Sequence, residues 1–267
     1  MDSSNFQYQS TLYENARGFV MRGDDGFGQS RAQVGMSGTT CMVETRSAML
    51  GDDLDYPGTE ETVQDSGMTP SGEEVVVITA DDKLHIQQED AWLPVSDEYQ
   101  VQGVAVDAKA LETGAVALTD EGSEGCGVQW VGNRFPGHQE LPDAVCEGDP
   151  DLAADPVMGM AFVGSDAGIS VVTPTDTTVQ ITEEPSQIVE WDPVTELLYA
   201  AELNSHILRG LEADGTVAWT ADVGAAILSV DDMGTRAAAA VSVANADGSG
   251  GVVIVDGYTG TINVITD

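Results

Sequence analysis

The stretch Met68-Thr69-Pro70-Ser71-Gly72-Glu73-Glu74-Val75-Val76-Val77-Ile78-Thr79-Ala80-Asp81-Asp82-Lys83-Leu84-His85-Ile86 sets the grammar of the chain. Val75 to Ala80 is a short apolar run between a Pro/Ser/Gly turn and an acidic turn, which is how a buried strand between two reversals reads. The same order of strand, turn and strand returns in Val104 to Asp107, Val116 to Thr119 and Gly127 to Trp130. It returns again in Val189 to Asp192, Leu197 to Ala200 and His206 to Arg209.

From Thr62 onward the second strand of each unit centres near Val76, Val116, Met160, Leu198 and Ala238, and the third near Leu84, Val128, Ile169, Ile207 and Val252. The period is about 40 residues, the scale of stacked supersecondary units. A fourth strand completes each unit at Trp92 to Val95, Gln139 to Leu141, Val179 to Ile181, Val217 to Thr220 and Ile262 to Thr266. No stretch carries a capped 3.6-residue period, so the chain reads as all-β. Four short antiparallel strands per unit make the blade of a β-propeller, whose closure protects sheet edges.

Five blades are legible in this way over 61–267. Residues 1–60 differ: they are rich in Gly, Ser and Met, carry four arginines (Arg17, Arg22, Arg31 and Arg46) and fall outside the period. They are either a degenerate extra blade, giving six, or an extension packed on the ring.

Composition restricts the partners. The 267 residues, 42% of them apolar, hold 46 Asp and Glu against 9 Lys and Arg, a formal charge of −37. Binding a phosphate backbone depends on cations that displace its counterions, so nucleic acid is excluded as a general partner. An anionic membrane surface is disfavoured on the same ground. Such self-repulsion opposes compaction in dilute buffer, whereas at about 1 M salt the Debye length falls to roughly 3 Å. With lysine reduced to Lys83 and Lys109, the expectation is adaptation to a saline setting, either extracytoplasmic, which is favoured, or the cytoplasm of a salt-accumulating organism.

No apolar run approaches the roughly 20 residues that span a bilayer. The opening Met1-Asp2-Ser3-Ser4-Asn5-Phe6 lacks the basic and apolar regions of a signal peptide, which leaves a cytoplasmic chain or a mature product open. Cys126 and Cys146 flank a Gly- and Pro-rich excursion and are candidates for a disulfide, with two unpaired small core residues as the alternative and Cys41 left over. Three cysteines without C-x-x-C spacing and three histidines do not make a zinc site.

Met68 to Ile86 resembles the strand and turn pattern of WD40-like and YVTN-like propellers. Gly210 to Trp219 and Val255 to Thr261 are similar to quinoprotein-like repeats. The resemblance implies the fold and no activity, since propellers host many functions. WD40 blades carry a Gly-His pair and end their third strand in Trp-Asp, whereas Trp191-Asp192 here ends a first strand; the quinoprotein cofactor has no ligands to map onto this chain.

Asp107, Asp192, Asp231 and Asp232 end apolar first strands and read as openers of the turn into the second strand. The loops between second and third strands hold Asp81, Asp82, Asp120, Glu121, Asp166, Asn204 and Asp247. In a propeller these crowd onto one rim, and they are the binding candidates for a protein or small ligand. Asn245-Ala246-Asp247-Gly248-Ser249 shares the opening of a calcium loop without its bidentate glutamate, so Ca²⁺ is the one cofactor considered. No Gly-x-Ser-x-Gly elbow or Ser/His/Asp set supports nucleophilic catalysis, and Arg22-Gly23-Asp24 is an isolated tripeptide. The four tryptophans read as packing between blades. The functional expectation is a non-catalytic binding module; the alternative is a carbohydrate-active hydrolase or lyase with a carboxylate-lined central cavity.

Overall fold

A computed structural model describes 104–266, apart from short breaks at 113, 123–124, 133–136, 149, 176–177, 234–235 and 247–249. Upstream it describes the backbone of strands between residues 18 and 94. The strands fall into six four-stranded antiparallel sheets, each a simple up-and-down meander. The first contains β1 (Gly18–Asp24), β2 (Gln29–Ser37), β3 (Thr40–Thr45) and β4 (Ala48–Leu50); the second β5 (Val63–Met68), β6 (Val75–Thr79), β7 (Leu84–Gln88) and β8 (Ala91–Pro94). The third has β9 (Val104–Leu111), β10 (Gly114–Asp120), β11 (Cys126–Val131) and β12 (Gly137–Glu140), and the fourth β13 (Asp151–Ala154), β14 (Ala161–Ser165), β15 (Gly168–Val172) and β16 (Val179–Thr182). The fifth holds β17 (Ile188–Asp192), β18 (Leu197–Ala201), β19 (Ile207–Leu211) and β20 (Val217–Asp222). The sixth holds β21 (Ala226–Met233), β22 (Arg236–Ala244), β23 (Gly250–Asp256) and β24 (Ile262–Thr266). One turn of helix, α1 (Asp143–Cys146), links the third sheet to the fourth.

First strands of successive sheets pack side by side: β5 with β9, β9 with β13, β13 with β17 and β17 with β21. β1 lies against β21, so the first sheet meets the last. This is a β-propeller of four-stranded blades. The first strands face the axis, and the fourth strands form the outer edge.

Burial follows this arrangement. Second strands are sandwiched on both faces, and the apolar runs Ala161–Ser165 and Leu197–Ala201 are buried throughout. The core is divided among the seams between blades. Leu118, Val128 and Trp130 of the third sheet meet Leu152, Ala161 and Val163 of the fourth. Phe162 and Ile169 of the fourth meet Val189, Trp191 and Leu198 of the fifth, with the Phe162 and Trp191 rings stacked at 5.0 Å. Tyr199, Leu208 and Trp219 of the fifth meet Ile227, Val241 and Val255 of the sixth. Each fully buried Leu, Ile or Phe at these seams contributes about 1.5–3 kcal/mol.

Polar links stitch the same seams. The Trp130 indole N–H donates to Gly159 O at 2.6 Å, and that of Trp219 to Gly257 O at 2.6 Å, each reaching the next blade. Trp219 fits because Gly210 and Gly260 leave room for it. A Cβ on Gly260 would come within 2.7 Å of the indole, and the φ of +68° there favours glycine as well. Trp130, Trp191 and Trp219 are therefore packing residues; the Trp92 side chain lies outside the described residues.

Bulges shape the inner and outer strands. On the outer side, register shifts fall in the pairs β15/β16, β19/β20 and β23/β24, the sheet edges that a neighbouring chain would otherwise extend. On the inner side, shifts in β5, β9 and β21 leave Gln64, Val106 and Leu228 without a cross-strand partner.

Two expectations are corrected here. Asp107 does not open a turn: β9 runs on from it through Ala108, Lys109 and Ala110 to Leu111, paired with Gly114 to Ala117, so Asp107 sits in mid-strand, and Asp231 and Asp232 likewise lie within β21. Met160 is not the centre of a second strand, because Pro156 to Gly159 form a turn and β14 starts at Ala161. Asp192 does open its turn. Its buried carboxylate accepts from Val194 N (2.8 Å), Thr195 N (3.4 Å) and Thr195 Oγ1 (2.9 Å), and also from the Tyr199 hydroxyl. Burial first, and the Asp192 charge second, push the Tyr199 phenol well above its usual range, which keeps it a donor.

Candidate functional site

In an up-and-down blade the loop from second to third strand shares a face with the linker from the previous blade, and the structure uses that proximity for joinery. Asp120 Oδ1 accepts from Gly122 N at 2.7 Å and shapes its own loop. Glu121 Oε1 is 2.5 Å from His138 Nε2, tying the loop to the outer strand of the same blade. Asp166 Oδ1 accepts from the Gln187 amide, and Gln187 Oε1 in turn accepts from Leu203 N at 3.0 Å. This links the rim loop of the fourth blade to that of the fifth. Asn204 takes a left-handed φ of 63° and donates from its backbone N to Ile227 O at 3.0 Å, reaching the sixth blade. Asp81, Asp82 and Asp247 lie outside the described residues, as do Gly248 and Ser249 of the calcium-like segment.

The structure brings together a second set that the sequence reading did not assemble. Asp107 and Lys109 on β9, Asp151 on β13, Glu190 on β17 and Asp231 and Asp232 on β21 all project from first strands near the axis. Two of these carboxylates repeat one link. Asp107 Oδ2 accepts from Leu152 N at 2.8 Å, and Asp151 Oδ2 accepts from Val189 N at 2.8 Å, each binding a first strand to the next. Lys109 Nζ lies 3.3 Å from Glu190 Oε2. It therefore joins the third blade to the fifth, past the fourth.

This environment shifts the acids strongly. Burial is the largest cause at Asp151, followed by the Asp107 charge, and together they push its carboxyl up to about 8 despite the opposing pull of Lys109 and the Val189 N–H. Glu190 is also pushed up to about 8, by burial, with Asp232 and Asp231 adding to the shift and Lys109 opposing it. At neutral pH both acids hold a proton to a large degree, and the Lys109 ammonium donates to a carboxyl that is mostly neutral. Among the described residues no three His, Cys, Asp or Glu side chains converge to hold a metal ion.

Cys126, at the start of β11, is disulfide-bonded to Cys146 in α1, with their Cα atoms 5.5 Å apart. The bond fastens the Pro142-containing link between the third and fourth blades. Among the described residues no helix is long and apolar enough to cross a membrane.

No family model and no curated protein matches the chain. Solved structures do. A chain described as "KlHsv2 with loop 6CD replaced by a Gly-Ser linker" superposes with a TM-score of 0.53 at 10% identity, covering 77% of this chain and 66% of that one. A chain in "Crystal Structure of Mitotic Checkpoint Complex" superposes with a TM-score of 0.57 at 11% identity, covering 94% of this chain and 82% of that one. Identities this low carry the likeness of fold alone, and the fold they share with this chain is the β-propeller.

Proposed function

We propose that this chain is a non-catalytic, protein-binding β-propeller of WD40-like or YVTN-like repeat type that works in a saline, extracytoplasmic setting. The observation that carries the reading is the internal use of the axial carboxylates. Asp107 and Asp151 each accept a backbone N–H from the next blade, and Glu190 takes the Lys109 ammonium. Groups spent on holding blades together are poorly placed to attack or protonate a substrate. The Hsv2 chain and the checkpoint-complex chain share the fold, and the second is described within a protein complex, which supports a partner protein here as well. The charge of −37 supports the saline part of the reading, since screening relieves repulsion that dilute buffer leaves in place. The Cys126–Cys146 disulfide supports an oxidising compartment.

A carbohydrate-active hydrolase is the second reading, and one observation favours it: raised acids at Asp151 and Glu190 have the protonation state of a general acid at neutral pH. Two experiments decide between them. Cross-linking and mass spectrometry of the full chain in a host extract at about 2 M salt is expected to give reproducible adducts with a protein other than itself. Incubation with a panel of polysaccharides is expected to release no reducing ends. Turnover that disappears in Glu190→Gln or Asp151→Asn, or an absence of heterologous adducts, would contradict the proposal.

A further inference from the structure

Three turns on one face of the propeller share a single construction. Asp155 O accepts from Gly159 N at 2.9 Å while its Oδ1 accepts from Val157 N (2.8 Å) and Met158 N (3.0 Å). Asp192 O accepts from Glu196 N at 2.9 Å while its Oδ1 takes Val194 N and Thr195 N. Asp256 O accepts from Gly260 N at 2.8 Å while its Oδ1 takes Tyr258 N (3.2 Å) and Thr259 N (2.9 Å). In each, the aspartate fixes the turn, and the residue two positions on stands outward.

That outward residue is apolar every time. Val157 is 45% exposed with Met158 beside it at 64%, Val194 is 38% exposed and Tyr258 63%. The turn chemistry does not ask for this. The Asp214 turn on the same face is closed differently, by Gly215 N donating to Glu212 O at 2.8 Å, and there the residue whose N–H the aspartate accepts, at 2.9 Å, is a polar threonine, Thr216. Single exposed apolar side chains are ordinary, whereas grouped ones mark a contact surface, and the turns carrying Val194 and Tyr258 adjoin across the seam between the fifth and sixth blades.

The three turns belong to the fourth, fifth and sixth blades and to one face, because first-to-second and third-to-fourth turns lie at the same end of a meander. Contacts across the seams agree with this. Gly257 packs against Thr195 and Tyr199, placing the Tyr258 turn beside the Val194 turn. Glu112 N donates to Pro156 O at 3.1 Å, joining the Met158 turn to the third blade. The same face carries the exposed acids Glu112, Glu196, Glu212 and Asp214, against one described cation at its turns, Arg236, which closes the first turn of the sixth blade opposite Met233.

We propose that this face, centred on Val157, Met158, Val194 and Tyr258, docks a segment of a partner protein in which apolar side chains are interleaved with lysine or arginine. Charge complementarity selects that occupant. A second copy of this chain would bring another −37 onto an acidic face, and a purely apolar partner would leave the acids around the patch without counterparts. The turns are held by side-chain and backbone hydrogen bonds before any partner arrives, which lowers the ordering cost of binding. The inference rests on the protein-binding reading above and specifies its surface.

The test uses the full, disulfide-intact chain and two short labelled peptides of equal charge, one alternating leucine with lysine and the other serine with lysine, in about 0.5 M salt to screen non-specific attraction. The leucine–lysine peptide is expected to bind at least about tenfold more tightly, and the variant V157S/M158S/V194S/Y258S to lose that advantage while its melting temperature stays unchanged. Equal binding of the two peptides, undiminished binding by the variant, or a change in sedimentation of the chain alone on substitution would overturn the proposal. The last result would assign the face to self-association. Failure here leaves heterologous cross-links intact and moves them to another surface, whereas failure of the parent reading removes the cross-links themselves.

Discussion

Lys109 Nζ stands 3.3 Å from Glu190 Oε2 across 81 residues of chain, so one side chain of the third blade is held by the fifth while the fourth lies between them. The pair is largely shielded from solvent, and it sits among Asp107, Asp151, Asp231 and Asp232, which makes Lys109 the only cation on the described first strands from β9 to β21. A propeller this acidic concentrates like charge at its axis. The lysine and the two protonated acids are how that concentration is tolerated.

Stability is expected to fall as pH rises from about 4 to about 8. Asp151 and Glu190 are pushed up to about 8 in the fold, against ordinary values near 4 for the unfolded chain. Between those limits the folded state binds more protons than the unfolded state, so the slope of unfolding free energy against pH is negative. Urea denaturation at pH 5 and pH 8 in about 1 M salt, where overall charge repulsion is screened, checks this. Asp151→Asn with Glu190→Gln should flatten the slope; a profile that rises toward pH 8 in the parent protein would contradict the assignment.

Trp219→Phe should cost about 1–3 kcal/mol, because it removes the donor to Gly257 O and leaves a buried carbonyl without its partner. Gly210→Ala should cost a similar amount by overpacking, since its new methyl would meet the Trp219 ring. In the double variant the losses should not add, because the smaller phenyl makes room for the methyl. Chemical denaturation of the three variants reads this directly.

Breaking the Cys126–Cys146 bond, whose partners are separated by 20 positions, should lower stability by about 3 kcal/mol through loop entropy in the unfolded state. A double serine variant compared with the oxidised parent gives the value. Loss of the bond should leave the seam between the fifth and sixth blades untouched, as reported by Trp219 fluorescence.

Melting in about 2 M salt should exceed that in 0.1 M salt by about 5 °C or more, as expected when repulsion within a chain of charge −37 is screened. A melting temperature that is unchanged or lower in high salt would remove the saline reading.

Strand order and blade size were legible because each buried second strand is an unbroken apolar run such as Leu197–Ala201, bounded by turn formers on both sides. Asp192 was legible for the same reason, its Pro193 marking a turn. Asp107 was not, because Ala108-Lys109-Ala110-Leu111 lacks the β-branched residues that mark a strand, yet it continues β9 in pairing with β10. The axial cluster was hidden for a different reason: Lys109, Asp151 and Glu190 are far apart in sequence and meet only because first strands share an axis. The four-stranded sheet at Gly18–Leu50 escaped the period because its strands and loops do not follow the spacing of the later units.

The central claim is that the axial carboxylates hold blades together rather than act on a substrate, and a double-mutant cycle between Lys109→Met and Glu190→Gln tests it most directly. Measured by denaturation at pH 9, where Glu190 is mostly ionised, the coupling is expected to be about 1–3 kcal/mol and to shrink at pH 5 as the carboxyl is neutralised. A coupling near zero at pH 9, or one equal at both pH values, would contradict the account.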